Sequence, residues 1–540
     1  MPPTLRDLAA VGAAAASAVL HGDGDIAITG LACDPTLEDV HPGVLFAPLD
    51  LPPERAVALA ARAIARGAVA LLLEQPCDLP APQLIVPSVR AALPHIAAAF
   101  YGFPATSLRC IGVTGTEGKT TTTFLIDAIL REAGERPGLI GTLEWRAGDT
   151  WTRHRSGRTT PEAPQLQRLL RDMVEAGDQW ATIESSSQGL ALHRLDTVPF
   201  AIGAMTFITQ DHLAFHGSVE AYRRAKAILF ERVAENGGVA VINADDPAAS
   251  VMRDHAGVSR IITYSVEGRA AEVRATSIDP RPTGTRFTLS TPGGTVRVAL
   301  PLLGTFNVAN ALCAVAVAHA VGIPLDQIAR SLGTVAPAPG RLEPVRAGQP
   351  FLVLIDEAQS AAQLAGVIDI AHQLVPQGRV IVLVGGSDAA PPALLRQKGE
   401  VAALAADFSV FTTQQSRVAE PDILTAHLAA GARAAGGIPG VTYACVEDRR
   451  AAVAQALERA KPGDCVLLLG KADSDSPITG DVAQRWDEAA VARQVLAAMG
   501  HVMSNVEGDT RRGAGDLPGI DGRATPPPAA VAARLARDAE

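Results

Sequence analysis

The chain has no Cys-x-x-C pair, no apolar run of bilayer-spanning length and no excess of positive charge. Its six cysteines, at 33, 77, 110, 313, 445 and 465, stand far apart. That spacing suits neither a zinc site nor a disulfide framework, and reduced thiols of a cytoplasmic protein are expected. Without a run of about 20 apolar residues, no stable membrane insertion is expected. The Ala-rich stretch Leu8 to Leu20 follows Arg6 as a secretory signal could, but Asp7 beside it favours an ordinary N-terminal helix. With 47 basic against 57 acidic residues the formal charge is −10, which argues against a nucleic-acid binder held by phosphate contacts.

A chain of 540 residues, 48% of them hydrophobic, suggests about three domains at roughly 100–200 residues each. In the first, residues 1–104, Ile26–Ile28, Val44–Ala47 and Val69–Leu73 read as strands and Pro53–Arg66 as a helix. The second, 105–338, opens with the strand Cys110–Val113, a Gly/Thr loop and a helix over Thr121–Arg131. Strands are expected at 180–184, 200–206 and 238–242 with helices between, which implies a mostly parallel sheet. A hairpin around Gly293-Gly294 and helices at 305–320 and 325–332 complete it. Ala336-Pro-Ala-Pro-Gly340 reads as a linker. The third domain, 339–500, repeats strand and helix in a Rossmann-like order, with strands at Phe351–Ile355, Val380–Val384, Ser409–Thr412, Val441–Ala444 and Cys465–Leu469. Residues 501–540 are expected to be a disordered tail with a short helix at 529–538. The fold class is therefore α/β.

The sharpest local signal is Gly115-Thr116-Glu117-Gly118-Lys119-Thr120, set between a strand and a helix. Backbone N–H groups and a helix N-terminus make such a turn an anion cradle. Lys119 would reach the terminal phosphates and the Thr120 hydroxyl would sit on Mg²⁺. The first glycine of the general phosphate-loop expression falls on Val113, and Gly112 lies one residue too early. What remains is the narrower Thr-Gly-Thr-x-Gly-Lys-Thr.

That narrower loop resembles the one in the Mur ligase superfamily, which also includes folylpolyglutamate synthase and cyanophycin synthetase. Further motifs follow in the same order. Arg158-Thr159-Thr160-Pro161 resembles the family's Asn-Thr-Thr-Pro, and Glu184-Ser185-Ser186-Ser187-Gln188-Gly189-Leu190 its Glu-Val-Ser-Ser-His-Gly-Leu. Asp211-His212-Leu213 with His216-Gly217 resembles Asp-His-Leu-Asp-x-His-Gly, and Lys226 falls where the family carries a carbamylated lysine. Asn243-Ala244-Asp245-Asp246, Gly304 to Asn310 and Gly340-Arg341-Leu342-Glu343 continue the likeness. It is nearest to the MurE type, which adds the third residue of the peptidoglycan stem peptide.

The resemblance implies a three-domain ligase with a central ATPase-like parallel sheet. It implies ATP and Mg²⁺ as cofactors, and as substrates a nucleotide-sugar peptide and an amino acid or amine. ATP would phosphorylate a carboxylate, and an amine would then displace the phosphate to leave an amide. Both partners of the first step are anions, so cations must offset their repulsion. By resemblance, Lys119, Glu184, His212 and Lys226 would be catalytic, and Thr120, Glu184 and His212 metal ligands. Gly115, Thr116, Gly118, Lys119, Thr120, Thr121, Asn307, Arg341 and Asp356 would bind the nucleotide, and Thr159, Thr160, Ser186, Arg194 and Arg417 the substrates. Taken singly, Glu184 could be a solvated strand end, His212 a loop histidine, Lys226 a surface base and Asn307 the start of a helix.

The outer domains depart from the pattern. An N-terminal Asp-Ser-Arg survives only as Asp34, although Pro42 to Phe46 keeps the Pro-Gly-x-Leu-Phe turn. In the third domain Asp-Tyr-Ala-His-Thr-Pro becomes Asp356-Glu-Ala-Gln359-Ser-Ala361, and Asp-Asn-Pro-Arg becomes Gln414-Gln-Ser-Arg417. Gly-Lys-Gly-His-Glu becomes Gly470-Lys471-Ala-Asp-Ser474, and Gly-Gly-Asp-Arg-Asp shrinks to Gly385-Gly-Ser-Asp388. The site for the incoming amine is thus expected to be rebuilt. Three readings stay open: an amide ligase of altered specificity, a nucleotide-binding partner of a cell-wall enzyme, or another activity such as polyglutamylation.

Overall fold

A computed structural model describes residues 2–153, 158–257, 260–281, 283–388, 390–415, 421–471, 473–474 and 486–501. Arg417 and the expected tail beyond residue 501 lie outside the described residues.

Three sheets succeed one another along the chain. The first has five strands in the order Val19–His21, Gln83–Ile85, Ala68–Leu73, Val44–Phe46, Gly30–Ala32. The expected strand at Ile26–Ile28 is absent. The Ile26 carbonyl accepts from Leu5 N–H and Ile28 N–H donates to the Pro3 carbonyl, so this segment ties down the start of the first helix, Leu5–Ala16. The strand begins two residues later, at Gly30. The Ala-rich N-terminal stretch is that helix, capped by Thr4 and Asp7.

The second sheet has eleven strands and holds the loop of interest. Its middle runs parallel in the order Arg260–Ser265, Val239–Asn243, Phe200–Met205, Arg109–Thr114, Trp180–Glu184, Pro137–Ile140. On one side an antiparallel meander (Val273–Arg281, Gly284–Thr291, Gly294–Leu300) extends it, with the expected turn ahead of Gly294. On the other side the hairpin Glu144–Ala147 and Thr150–Arg153 does the same. That hairpin, Pro137–Ile140 and Arg260–Ser265 were not among the expected strands. The first three are four residues each, too short to show a period. The helix Thr305–Val321 is buried from Asn307 through Ala318 on nearly every face. A helix apolar all round belongs inside a core, and this one packs in the same core cluster as the phosphate-loop helix, Lys119–Glu132.

The third sheet runs Glu343–Pro344, Leu352–Asp356, Cys465–Leu469, Val380–Ser387, Phe408–Gln415, Tyr443–Cys445, parallel except for its first strand. The last strand starts at Tyr443, because Val441 and Thr442 N–H groups are spent on a turn back to the Ile438 carbonyl. Among the described residues no helix is long and apolar enough to cross a membrane, and all six cysteines are free.

Candidate active site

The loop 115–118 leaves the C-terminal end of the strand Arg109–Thr114, and the helix starts at Lys119. Two of its positions demand glycine. Gly115 has φ +155° and a Cβ there would meet Thr206 Oγ1 at 1.9 Å; Gly118 has φ +81° and a Cβ would meet Asn310 Oδ1 at 2.2 Å. The crossing with the next strand is tied by Thr206 Oγ1, which donates to the Glu117 carbonyl at 2.5 Å, and by Thr116 N–H, which donates to Phe207 O at 2.7 Å.

Two lysines converge on one carbonyl of this loop. Lys119 Nζ donates to Gly115 O and Thr116 O, both at 3.0 Å. Lys226 Nζ donates to the same Gly115 O at 2.7 Å. It arrives from the helix Val219–Glu235 and is only 1% exposed, so it is no surface base. Burial, and then the neighbouring Lys119, lower its pKa well below the usual lysine range. Burial also lowers that of Lys119, with Glu184 acting against it.

Tyr222, one helical turn before Lys226, places its ring 4.5 Å from the Lys226 amine. Its hydroxyl shares a hydrogen bond with Thr116 Oγ1 at 2.9 Å. His216 stacks edge-on against the Tyr222 ring and its Nε2 lies 3.0 Å from Ser187 Oγ. Sequence reasoning passed over Tyr222. The available signal was its i,i+4 spacing to Lys226.

Glu184 ends the strand Trp180–Glu184 and is fully buried, so it is not a solvated strand end. Its two oxygens accept from Thr142, through N–H at 3.1 Å and Oγ1 at 2.9 Å. Thr142 Oγ1 also lies 3.1 Å from Thr159 Oγ1. Thr142 was missed because no motif contains it. Thr160 Oγ1 donates to the Glu184 carbonyl at 2.7 Å and accepts from Ser186 N–H at 3.0 Å. Arg194 donates to the Thr160 carbonyl at 2.9 Å. Thr159, Thr160, Ser186 and Arg194 thus form one bonded group around Glu184.

Asn307 is buried and donates to Leu303 O at 2.8 Å, while Asn310 Nδ2 donates to its Oδ1 at 3.0 Å. Asn310, whose oxygen faces Gly118, therefore joins the loop to Asn307. Arg341 lies 3.6 Å from Glu357. Asp356 accepts backbone N–H groups of Leu342 and Ala358, and burial raises its carboxyl despite Arg341. Arg341 and Asp356 lie within electrostatic reach of Glu117 on the loop. His212 is not drawn into this group. Its side chain is 51% exposed with Asp211 3.5 Å away.

Among the described residues no three His, Cys, Asp or Glu side chains gather as a metal cage. Mg²⁺ does not need one, since it commonly takes one or two carboxylates and completes its shell with phosphate and water. A buried carboxylate at Glu184 and the Thr120 hydroxyl beside a phosphate cradle fit that mode.

Residues 113–318 match the Mur ligase middle domain and 340–472 the Mur ligase glutamate ligase domain. A UDP-N-acetylmuramyl-tripeptide synthetase of Roseiflexus is 42% identical over 82% of this chain and 89% of its own length. The chain belongs to the Mur ligase family. A UDP-N-acetylmuramoyl-L-alanyl-D-glutamate–2,6-diaminopimelate ligase of Geobacillus thermodenitrificans is 37% identical, over 81% of this chain and 88% of its own. A solved structure of such a ligase superposes with a TM-score of 0.62 at 27% identity, covering 93% of this chain and 100% of that one. MurF of Acinetobacter baumannii, at 22% identity and TM-score 0.61 over 92% and 98%, shares the three-domain fold.

Against that Mur ligase frame, the departures in the third domain are gathered in space. Gln359 Nε2 donates to the Gly470 carbonyl at 2.8 Å, Gln414 Nε2 lies 3.4 Å from Gln359 Oε1, and Lys471 Nζ lies 3.4 Å from the Gln414 carbonyl. Residues of three motifs, distant in sequence, thus meet at one place.

Proposed function

We propose that this Mur ligase activates the terminal carboxylate of a UDP-MurNAc-peptide with ATP and joins it to an amino acid or amine, in peptidoglycan precursor synthesis in the cytoplasm. The observation that carries the reading is the pair of lysines on the Gly115 carbonyl, Lys226 buried and Lys119 half-buried, with Glu184 close enough to act on Lys119. ATP occupies the loop through Gly115, Thr116, Gly118, Lys119, Thr120 and Thr121. Asn307 and Arg341 contact the nucleotide and Asp356 the ribose. Thr120, Glu184 and His212 hold magnesium, which supplies charge neutralisation between two anions. The exposure of His212 fits a ligand that engages once phosphates are bound.

Lys226 is carbamylated and thereby turned into an anion. Carbon dioxide reacts only with a neutral amine, and the depressed pKa of Lys226 favours that form. Thr159, Thr160, Ser186 and Arg194 hold the acceptor, and Arg417 the incoming amine. Domain boundaries at 104/105 and 338/339 follow from this division of labour.

The test is acceptor-dependent ADP release from the purified chain, with UDP-MurNAc-dipeptide and a panel of amino acids. Phosphate release that needs both acceptor and amine is expected. The altered third-domain cluster favours a second reading, a nucleotide-binding partner of a cell-wall enzyme. ATP binding without turnover on any acceptor would replace the first reading by that one.

A further inference from the structure

Five charged side chains meet where the first sheet's domain abuts the central one. Glu162 is 8% exposed at the start of the helix Ala163–Ala176. One of its oxygens receives Arg90, from the first domain, at 2.6 Å. The other receives Arg194 at 2.9 Å, with Arg158 at 3.7 Å. Arg90 is in turn held by Asp50 through Nε at 2.9 Å and a second guanidinium nitrogen. Three cations thus face two anions, which leaves one positive charge over. A cavity of about 90 Å³ opens beside Arg90, Arg158 and Glu162, with Cys33 and Asp50 on its wall. Arg194 is buried, and its Nε has no hydrogen-bond partner. A buried donor without a partner is costly unless something else accepts from it.

Resting on the proposed function, we infer that Glu162 is a positioning residue for the anionic acceptor. It holds the fork of Arg194, whose other arm donates to the Thr160 carbonyl at 2.9 Å, in line with the group that ends at Glu184. Through Arg90 it also fixes the first domain against the central one. The surplus positive charge beside the cavity, at Arg90 and Arg158, is then completed by an anionic group of the nucleotide-sugar peptide. Rigid arginine forks recognise carboxylate and phosphate by geometry, so losing the residue that aims them weakens binding even when the charges remain.

The experiment is calorimetric binding of UDP-MurNAc-L-Ala-D-Glu to the full chain, with steady-state ADP release alongside. Glu162→Gln keeps the shape but not the charge. It is expected to weaken acceptor binding and raise the acceptor KM by about 10- to 100-fold, with ATP affinity and kcat nearly unchanged. Glu162→Asp should restore part of the affinity. If Glu162→Gln does not fold, Arg90→Lys takes its place. It keeps the charge but loses the fork, and should weaken the acceptor by a smaller factor. Lower thermal stability with unchanged acceptor affinity in the variant that folds would overturn the inference and leave Glu162 a tie between domains. A wild-type chain that binds no acceptor overturns both this and the function. One that binds acceptor without turnover overturns only the function.

Discussion

Lys119 and Lys226 share an acceptor, yet different losses are expected when each is removed. Lys119 begins the helix after the glycine loop and is drawn onto two loop carbonyls. Lys119→Ala should abolish the thermal stabilisation given by Mg-ATP, because a ligand stabilises only a fold that binds it. A melting shift equal to wild type at saturating nucleotide would refute the assignment. Lys226 approaches from behind the loop, walled in by Tyr222. Lys226→Ala should lose ligation while keeping the fold and most of the ATP affinity, and added short carboxylates should restore part of the rate. Wild-type turnover in that variant would show that the amine takes no part in the chemistry. Of the four residues expected to be catalytic, Glu184 and Lys226 are buried, Lys119 is half-buried on the loop, and His212 stands out in solvent. A sequence motif names residue types, but burial is decided by what packs over them.

At the scale of an element, the helix Pro392–Ala405 carries an unabsorbed cost. Lys398 is 3% exposed and donates to the Gly385 carbonyl at 3.0 Å. Burial, and then the neighbouring Arg449, lower its pKa to about 8 from the usual 10.5. The folded chain therefore binds fewer protons than the unfolded one between those values, and stability rises with pH across that window. Lys398→Met removes the charge and keeps an unbranched apolar stem. At pH 7 it should be more stable by on the order of a few kcal/mol, and the gain should shrink as pH climbs from about 8 towards 10.5. Denaturant melts at several pH values check this, and a gain that did not vary with pH would contradict it. The elements differ in how plainly the chain announces them. The helix Lys119–Glu132, expected over Thr121–Arg131, and the strand Cys465–Leu469 were legible to within two residues. Ile26–Ile28 looked as strand-like as its neighbours. Its backbone groups went instead to the start of the first helix, a choice that only a distant partner could make.

Across the whole molecule the decisive feature is the convergence of Gln359, Gln414, Gly470 and Lys471 at the C-terminal ends of the third sheet. A free amino acid with two charged ends needs fixed charges of both signs to be read selectively; the two amides supply neither, and Lys471 supplies only a cation. Diaminopimelate is therefore not expected to be the preferred amine. Competition kinetics that show efficient diaminopimelate addition, with lysine and other amines rejected, would defeat that expectation. The phosphate loop, its place between strand and helix, and the α/β class were fixed by local sequence, because glycine at positive φ and a strand–helix alternation leave marks in consecutive residues. The pairing of Lys226 with Gly115, the clamp of Thr142 on Glu184 and the meeting of three arginines on Glu162 were decided only by tertiary structure. Those contacts join residues 42 to 111 positions apart in the first two cases. Sheet order brings such residues together, and sheet order is set by packing the whole core rather than by any local run of side chains.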